Sequence, residues 1–303
     1  MLIKDGIDVM MFAEHLKSKG LADTSVMAYR AVVNCFQKLD VKHDDITSYN
    51  QFLIDKCLKK GKRNYNYYYA LKHFIQFKFI NDKVQRDFMI KNLMKPKEKT
   101  PKTIRKILTE KERYTVIINM EEKKHTIISL IQSVTGSRIA DILRMKEGSI
   151  ETEIDNGKEI LRLSTSGKGD KMQVKYIYDK VMINYILDFI YSRELKDYIP
   201  EFYFLEYSTQ KNRKQSMDEF YLIRANYERY RRDLKTSLQS SGFNMATFST
   251  HDFRRSFSKD VYEKYNDIMI LKNVLGHRDL ATTQRYLAQS GLNNKDIFKD
   301  IYA

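Results

Sequence analysis

A short polar stretch rich in lysine and proline divides this sequence into two parts of unequal length. Residues 95–106 read KPKEKTPKTIRK and contain Pro96 and Pro101, two of the three prolines in the chain. Proline interrupts helices and favours extended backbone, and a run of lysines is poorly suited to burial. We therefore predict an interdomain linker at 95–106, between an N-terminal domain at 1–94 and a C-terminal domain at 107–303.

The N-terminal part carries the periodicity of α-helices throughout. Apolar residues recur three and four positions apart, as they do on the buried face of a helix. The segments with this pattern, each a predicted helix, are 8–20, 24–36, 46–60 and 64–79. Gly20 is a common type of helix stop, and Asp23 or Thr24 would cap the second helix. We therefore predict an all-helical N-terminal domain.

A helical pattern also opens the C-terminal part. It runs from Tyr114 to Val134 and stops at Thr135-Gly136, and a second predicted helix covers 137–145. Helical patterns resume at Val181 and continue toward the end of the sequence.

Between these helical segments the periodicity changes. Alternating residues predict three strands, at 149–154, 159–164 and 172–178. Asn156-Gly157 is typical of a tight hairpin turn between the first two. The chain as a whole is therefore predicted to be mainly α-helical, with a small antiparallel β-sheet in its C-terminal domain.

The chain carries a large excess of positive charge. Lys and Arg total 54 and Asp and Glu total 39 in 303 residues, which gives a net charge of +15 and a pI of about 9.4. Such a field favours polyanionic partners, with nucleic acid first and an anionic membrane surface second. A lysine-rich composition without any polyanionic partner is the alternative that charge alone leaves open.

Other features exclude several classes of protein. No apolar run approaches the ~18 residues of a membrane-spanning helix, and the N-terminus lacks the basic-then-apolar build of a signal peptide. The two cysteines, Cys35 and Cys57, lack metal-ligand spacing and are too few for a disulfide framework. We therefore predict a cytoplasmic protein with reduced thiols and no membrane partner.

One stretch of the N-terminal part is basic without any acidic residue. Between residues 56 and 78, aromatic residues are interleaved with positively charged ones. The side chains predicted to bind DNA are Lys56, Lys59, Lys60, Lys62, Arg63 and Lys72. Basic groups neutralise phosphates, and the lack of counter-charges favours this role over that of a solvated helix face. For Phe74 and Phe77 we instead predict a place in the core.

Four short motifs of the C-terminal part belong together. They are Thr-Gly-x-Arg, Gly-Lys-Gly, His-x-x-Arg, and Gly-His followed nine residues later by tyrosine. The residues that they contribute, in chain order, are Arg138, Lys168, His251, Arg254, His277 and Tyr286. In this order and spacing they resemble the motifs of the tyrosine recombinase (phage integrase) family. The helical N-terminal part looks like the core-binding domain of that family.

The resemblance implies a site-specific recombinase that cuts and rejoins DNA. Tyr286 would attack the scissile phosphate and form a 3′-phosphotyrosyl link, and strands would exchange through a Holliday junction. An ordinary tyrosine, with a pKa of ~10, needs activation. Arg138 and Arg254 can each fork onto the non-bridging oxygens of the phosphate. Because arginines take the place of metal ions, the resemblance implies no metal and no other cofactor.

The resemblance also assigns roles to three further residues. Lys168 would protonate the departing 5′ oxygen, and His251 would accept the proton of the tyrosine. His277 would hydrogen-bond the scissile phosphate. Lys171 lies just past the predicted turn and remains a rival of Lys168 for the role of the hairpin lysine.

Two positions depart from the commonest family pattern. Ala140-Asp141 stands where Ser-Glu is frequent, and Arg255 stands where a histidine often follows the second arginine. Neither departure removes a catalytic group, and Asp141 keeps an acidic side chain that can orient a neighbour. We therefore predict an active enzyme. The alternatives are a type IB-like topoisomerase, which uses the same covalent chemistry without pairing sites, and a non-catalytic DNA-binding module.

The partners that the resemblance implies are double-stranded DNA and further copies of the chain. The DNA would carry an inverted-repeat core site, on which a homo-tetramer assembles. Residues 291–303 carry Ile297, Phe298 and Ile301 at helical spacing, and a short apolar helix is suited to dock on a neighbouring subunit. Docking on its own subunit is the alternative. Integration or excision of a mobile element and resolution of replicon dimers both stay open as the biological role.

Overall fold

The computed structural model describes residues 9–39, 41–58, 65–95, 107–166, 172–194, 196–207, 218–244 and 248–289. For residues 58, 166, 285, 286, 288 and 289 it describes the backbone only. The chain divides into two compact units, Met1–Pro101 and Lys102–Ala303. The division falls inside the stretch 95–106, of which all but Lys95 lies outside the described residues.

The first unit is built from helices around an aromatic core. Its elements are α1 (Val9–Ser18), α2 (Asp23–Gln37), α3 (Ile46–Leu53), a π-helical turn (Ile54–Leu58), α4 (Tyr65–Lys78) and α5 (Lys83–Asn92). The ring of Phe12 packs edge-on against Phe74, with 5.6 Å between the ring centroids. Phe74 is buried, and Phe77 packs partly buried against the same core. Both aromatic residues therefore lie where the sequence predicted.

Three details of this unit differ from the sequence prediction. The helix predicted over 46–60 is α-helical only as far as Leu53, where the π-helical turn takes over. The residue before α2 is Ala22, whose side chain makes no capping hydrogen bond, and Asp23 already lies in the first turn of the helix. α5 has no counterpart in the prediction because its sequence is mostly polar and buries only Met89.

The second unit combines helices with one sheet. Its helices are α6 (Glu110–Ile118), α7 (Lys123–Thr135), α8 (Ile139–Leu143), α9 (Lys180–Ser192), α10 (Glu219–Ser240), α11 (Asp252–Tyr265), α12 (Ile268–Leu275) and α13 (Leu280–Gln289). Its strands are β1 (Ile150–Asp155), β2 (Lys158–Ser166) and β3 (Met172–Ile177), paired antiparallel in the order β1-β2-β3. The predicted fold class, mainly α with a small antiparallel sheet, is confirmed. Among the helices described, none combines the length and the hydrophobicity that crossing a membrane requires.

The turn between β1 and β2 has the geometry that its sequence predicts. Asn156 and Gly157 have φ values of +49° and +73°, and a type I′ turn needs positive φ at both central positions. Asp155 pairs with Lys158 across the turn. Because asparagine and glycine adopt this conformation more readily than other residues, the dipeptide sets the register of the two strands.

One predicted helix is two helices in the structure. The pattern over 114–134 predicts a continuous helix, but α6 and α7 are separate elements. The carboxylate of Asp233, on α10, accepts hydrogen bonds from the main-chain N–H groups of Glu121 and Glu122 at 3.0 and 3.2 Å. These two N–H groups lie immediately before α7, and the carboxylate replaces the carbonyl partners that a continuous helix would supply. The break thus depends on a residue that is distant in the sequence.

Candidate active site

Two helices of the second unit end at glycines that lie one or two residues before predicted site residues. α7 ends at Gly136, with φ of +62°, and Arg138 follows; α12 ends at Gly276, with φ of +64°, and His277 follows. A β-carbon at Gly136 would overlap the ring of Phe257, and one at Gly276 would overlap a side chain of β3. Both helix ends therefore require glycine, for its conformation and for its lack of a side chain.

Arg254 is a side chain that joins these two helix ends. It lies on α11 and is fully buried. Its guanidinium donates hydrogen bonds to the main-chain carbonyl of Gly136 and, at 2.9 Å, to that of Leu275. The last carbonyls of a helix have no partner within the helix, and they carry its partial negative charge. One buried cation therefore satisfies both helix ends at once.

Hydrogen bonds to both ring nitrogens of His277 bear on its protonation. Its Nε2 lies 2.9 Å from Nη2 of Arg254, and its Nδ1 lies 2.9 Å from Oγ1 of Thr283. Since arginine has no acceptor, Nε2 must accept that hydrogen bond, and the proton of the neutral ring lies on Nδ1. Burial, followed by the positive charge of Arg254, lowers the pKa of His277 to about 4. The ring is therefore neutral at physiological pH.

The contact with Thr283 connects His277 to the helix that carries the candidate nucleophile. Thr283 and Tyr286 both belong to α13 and are three residues apart, a spacing that places two positions on one side of a helix. Thr283 is fully buried beneath His277. The backbone of Tyr286 thus lies one helical turn beyond this contact, and its side chain lies outside the described part of the structure.

Arg138 precedes α8 and pairs with an acidic residue one turn further on. Its Nη1 lies 3.6 Å from Oδ2 of Asp141, whose side chain is buried, while that of Arg138 is 31% exposed. Burial raises the pKa of Asp141, and the positive charges of Arg138 and Arg254 oppose the rise. Asp141 therefore orients the Arg138 guanidinium. The guanidinium stays partly exposed, so a ligand can reach it from the solvent.

His251 is the residue that precedes α11, and it remains open to solvent. Partial desolvation by the surrounding protein, and then the positive charges of Arg255 and Arg254, lower its pKa. A lowered pKa keeps the imidazole neutral near pH 7, in the form that accepts a proton. Arg255 itself is held on α11 by the carboxylate of Asp252.

Sequence reasoning missed one residue of this site, Lys175 on β3. Its side chain is 9% exposed, and its Nζ donates to the main-chain carbonyls of Thr135 at 3.0 Å and Val274 at 2.5 Å. Burial, and then the positive charge of Arg254, lower the pKa of Lys175 to about 7. No signal in the sequence pointed to this residue, because a lysine in an alternating strand is typical of a solvent-facing position.

The other predicted residues fall into two groups. Lys56 lies in the π-helical turn with its Nζ 5.8 Å from the ring centroid of Phe52, and Lys72 lies half-buried on α4. Those outside the described residues are Lys59, Lys60, Lys62, Arg63, Lys168 and Lys171. In the described ranges, no group of three or more His, Cys, Asp or Glu side chains is placed to hold a metal ion.

Four of the predicted site residues lie close enough to influence one another electrostatically. They are Arg138, His251, Arg254 and His277. Both arginines lower the pKa of both histidines, so their charges lie close to the two rings. The partly exposed guanidinium of Arg138 can bind the oxygens of a phosphate, and the buried Arg254 adds positive charge beside it. The neutral imidazoles can accept a proton there. The arrangement therefore suits chemistry at a phosphodiester.

A family model decides which class of phosphodiester chemistry applies. The model of the phage integrase family matches residues 99–291. The chain belongs to the phage integrase family, the tyrosine recombinases. The resemblance inferred from the four motifs is thereby confirmed, and the match covers the whole described active site.

Relatives of this family member include several Xer recombinases. The chain is 26% identical over 223 residues to the tyrosine recombinase XerA of Thermococcus kodakarensis, an alignment that covers 72% of this chain and 67% of that protein. It is 22% identical over 307 residues to the tyrosine recombinase XerD of Listeria innocua, covering 94% of each. Matches to XerA from two Pyrococcus species cover 66% of their length. The chain therefore spans about two thirds of the XerA proteins that it matches.

Solved structures of the family share the fold. The TM-score is 0.66 with the XerH site-specific recombinase bound to a palindromic difH substrate, at 17% identity, covering 98% of this chain and 86% of that one. It is 0.63 with a lambda integrase dimer bound to a COC′ core site, at 15% identity, covering 94% of this chain and 95% of that one. At these identities the likeness concerns the fold, and it agrees with the architecture described above.

Proposed function

We propose that this tyrosine recombinase cuts and rejoins DNA at a specific site through a 3′-phosphotyrosyl intermediate. The observation that carries the proposal is the buried contact of Arg254 with His277, beside Arg138 and next to the helix of Tyr286. Such a group neutralises the charge that develops on a phosphate during transesterification. Membership of the family favours this function over that of a topoisomerase or of a non-catalytic binding module.

The first chemical step transfers the DNA phosphate to the protein. The phenol oxygen of Tyr286 attacks the scissile phosphorus, and its proton passes to the neutral ring of His251. The bond between phosphorus and the 5′ oxygen breaks, and Lys168, with Lys171 as the alternative, gives a proton to the departing oxygen. Attack by the 5′-hydroxyl of the partner strand reverses the step. Two such rounds exchange the strands through a Holliday junction.

The arginines act on the phosphate itself. Arg138 and Arg254 neutralise the non-bridging oxygens in the pentacoordinate transition state. In the described arrangement, Nε2 of His277 accepts a hydrogen bond from Arg254 and therefore carries no proton for the phosphate. His277 first holds Arg254 in position, and it reaches the phosphate as a donor only after this contact opens and a proton moves to Nε2.

A covalent trap on DNA tests this function. The purified protein is incubated with total DNA of the source organism, the mixture is quenched with SDS, and the ends of protein-linked fragments are sequenced. We expect the ends to accumulate at one imperfect palindrome, because a recombinase acts at a specific site. Ends scattered over the genome would instead establish a topoisomerase, and a complete lack of adducts would contradict the covalent mechanism.

The assembly on DNA is a further part of the proposal. A homo-tetramer would pair two inverted-repeat sites, with residues 291–303 docking on the neighbouring subunit; these residues lie outside the described ranges. The basic side chains of the first unit, including Lys56 and Lys72, would contact the phosphates of the core site. Such a DNA substrate agrees with the cytoplasmic location predicted from the sequence.

Deleting residues 291–303 is expected to prevent pairing of two sites while binding to a single site persists. The reason is that a docked apolar helix contributes contacts between subunits and none to the DNA. Native gel shifts with a DNA fragment carrying one or two copies of the trapped site measure both steps. Paired complexes at the wild-type level after the deletion would show that the segment docks on its own subunit.

A further inference from the structure

Two buried cations from different elements hold the same two helix ends. Lys175 of β3 donates to the carbonyls of Thr135, the last residue of α7, and Val274, near the end of α12. Arg254 of α11 donates to the carbonyl one residue further along each of these two segments. We name the first set, Lys175 Nζ with the carbonyls of Thr135 and Val274, the carbonyl clasp. The clasp repeats, one residue earlier, the connection that Arg254 makes.

Two neighbouring side chains of β3 that face the protein interior are polar. Lys175 is buried and Gln173 is half-buried, whereas the apolar side chains of Met172 and Val174 point outward and are 65% and 41% exposed. Gln173 also donates its side-chain amide to the carbonyl of Gly276 at 3.3 Å. Two successive inward residues of β3 thus reach the end of α12. Burial of a lysine is costly unless its charge is compensated, and helix ends supply that compensation.

We propose that Lys175 is a positioning residue that locks the end of α7, which leads to Arg138, against the end of α12, which leads to His277. This inference rests on the proposed recombinase function and deepens it. Lys175 does not act as the proton donor, because its Nζ is directed at two main-chain carbonyls of the protein. Its effect on the reaction passes through the spacing of Arg138, Arg254 and His277 around the phosphate.

The charged groups around Lys175 make the clasp sensitive to pH. Arg254 of α11 and Arg138 before α8 oppose the positive charge of Lys175, and Asp141 of α8 favours it. His277, after α12, is neutral. With burial, these charges hold the pKa of Lys175 at about 7. As the pH rises through this value, the amine loses its charge and its attraction to the negative helix ends weakens.

Hydrogen exchange of the full chain without DNA tests the clasp directly. In Lys175→Met we expect amide exchange in segments 134–139 and 273–278 to accelerate about tenfold or more, because the two helix ends open locally. Lys158→Met, at an exposed lysine of β2 in the same sheet, is the matched control and should stay within about twofold of the wild type. Unchanged exchange in Lys175→Met would overturn the proposal.

A pH series separates the charge of Lys175 from its packing. Between about pH 6 and about pH 8.5, protection factors of these two segments should fall in the wild type, because the ammonium loses its proton. In Lys175→Arg the charge is permanent in this range, so the fall should be absent. This comparison stands even if Lys175→Met does not fold. An identical pH dependence in the wild type and in Lys175→Arg would contradict a clasp that depends on charge.

A single-turnover cleavage assay connects the clasp to the reaction. The substrate is a nicked duplex carrying the site recovered by the covalent trap. We expect Lys175→Met to bind this DNA within about threefold of the wild type but to form the adduct about 10 to 100 times more slowly, with substantial recovery in Lys175→Arg. Cleavage by Lys175→Met at the wild-type rate would overturn the positioning role. If the wild-type protein forms no adduct, the proposed function is wrong. The hydrogen-exchange experiment then tests the carbonyl clasp independently of that function.

Discussion

Replacing Tyr286 with phenylalanine is expected to abolish the covalent protein–DNA adduct while DNA binding persists. The substitution removes only the phenol oxygen, which the proposed mechanism uses as the nucleophile. Loss of a covalent nucleophile typically lowers the rate by ~10⁴-fold or more, so adducts should fall below detection in SDS gels. The Kd for the site, measured by fluorescence anisotropy, should stay within about twofold because no phosphate-binding group is altered.

The matched control for this experiment is Tyr265→Phe. Tyr265 ends α11 and is 52% exposed, so it offers the same loss of a hydroxyl at a site without a proposed role. Adduct formation by this variant should equal that of the wild type. Persistent adducts in Tyr286→Phe would assign the nucleophile to a different tyrosine, which tryptic mapping of the DNA-linked peptide would then identify.

Replacing Arg254 with lysine is expected to have the second largest effect, on both stability and rate. The guanidinium contacts two main-chain carbonyls and Nε2 of His277, and a lysine ammonium cannot reach all three in this fork geometry. We expect a loss of about 3 kcal/mol in the free energy of unfolding, because buried acceptors lose their cation. Single-turnover cleavage should fall by ~10²–10³-fold, since a donor to the transition state is lost.

The loss of rate must be separated from the loss of stability. Arg113 of α6 is a second buried arginine, 6% exposed, and its Nη2 lies 2.6 Å from the carboxylate of Asp260 on α11. Arg113→Lys should also lower the free energy of unfolding, as measured in urea, but it alters no group of the proposed active site. At a temperature where both variants are folded, equal cleavage by the two would show that Arg254 serves the fold alone.

Local sequence was sufficient for several elements of this fold because the responsible residues act on their own backbone. Asn156 and Gly157 adopt positive φ and thereby define the β1–β2 hairpin. Gly136 and Gly276 end their helices in the left-handed conformation, and the motifs that they open were the ones recognised in the sequence. In each case the conformational preference of one or two residues determines the structure.

The break between α6 and α7 could not be predicted in this way. The segment has a continuous helical pattern, and the groups that interrupt it come from Asp233, 112 residues further along the chain from Glu121. Periodicity describes which face of an element is apolar and contains no information about a distant carboxylate that accepts main-chain hydrogen bonds.

The sequence by itself determined the family, the fold class and the identities of Arg138, Arg254, His277 and Tyr286 as site residues to test. Only the tertiary structure decided that His277 is a neutral ring protonated on Nδ1, because the donor from Arg254 and the acceptor on Thr283 meet it from separate helices. It also decided that a lysine of β3 faces inward. The ends of α7 and α12 present their unpaired carbonyls to that position, and helix ends brought together by packing create an electrostatic site that no local pattern encodes.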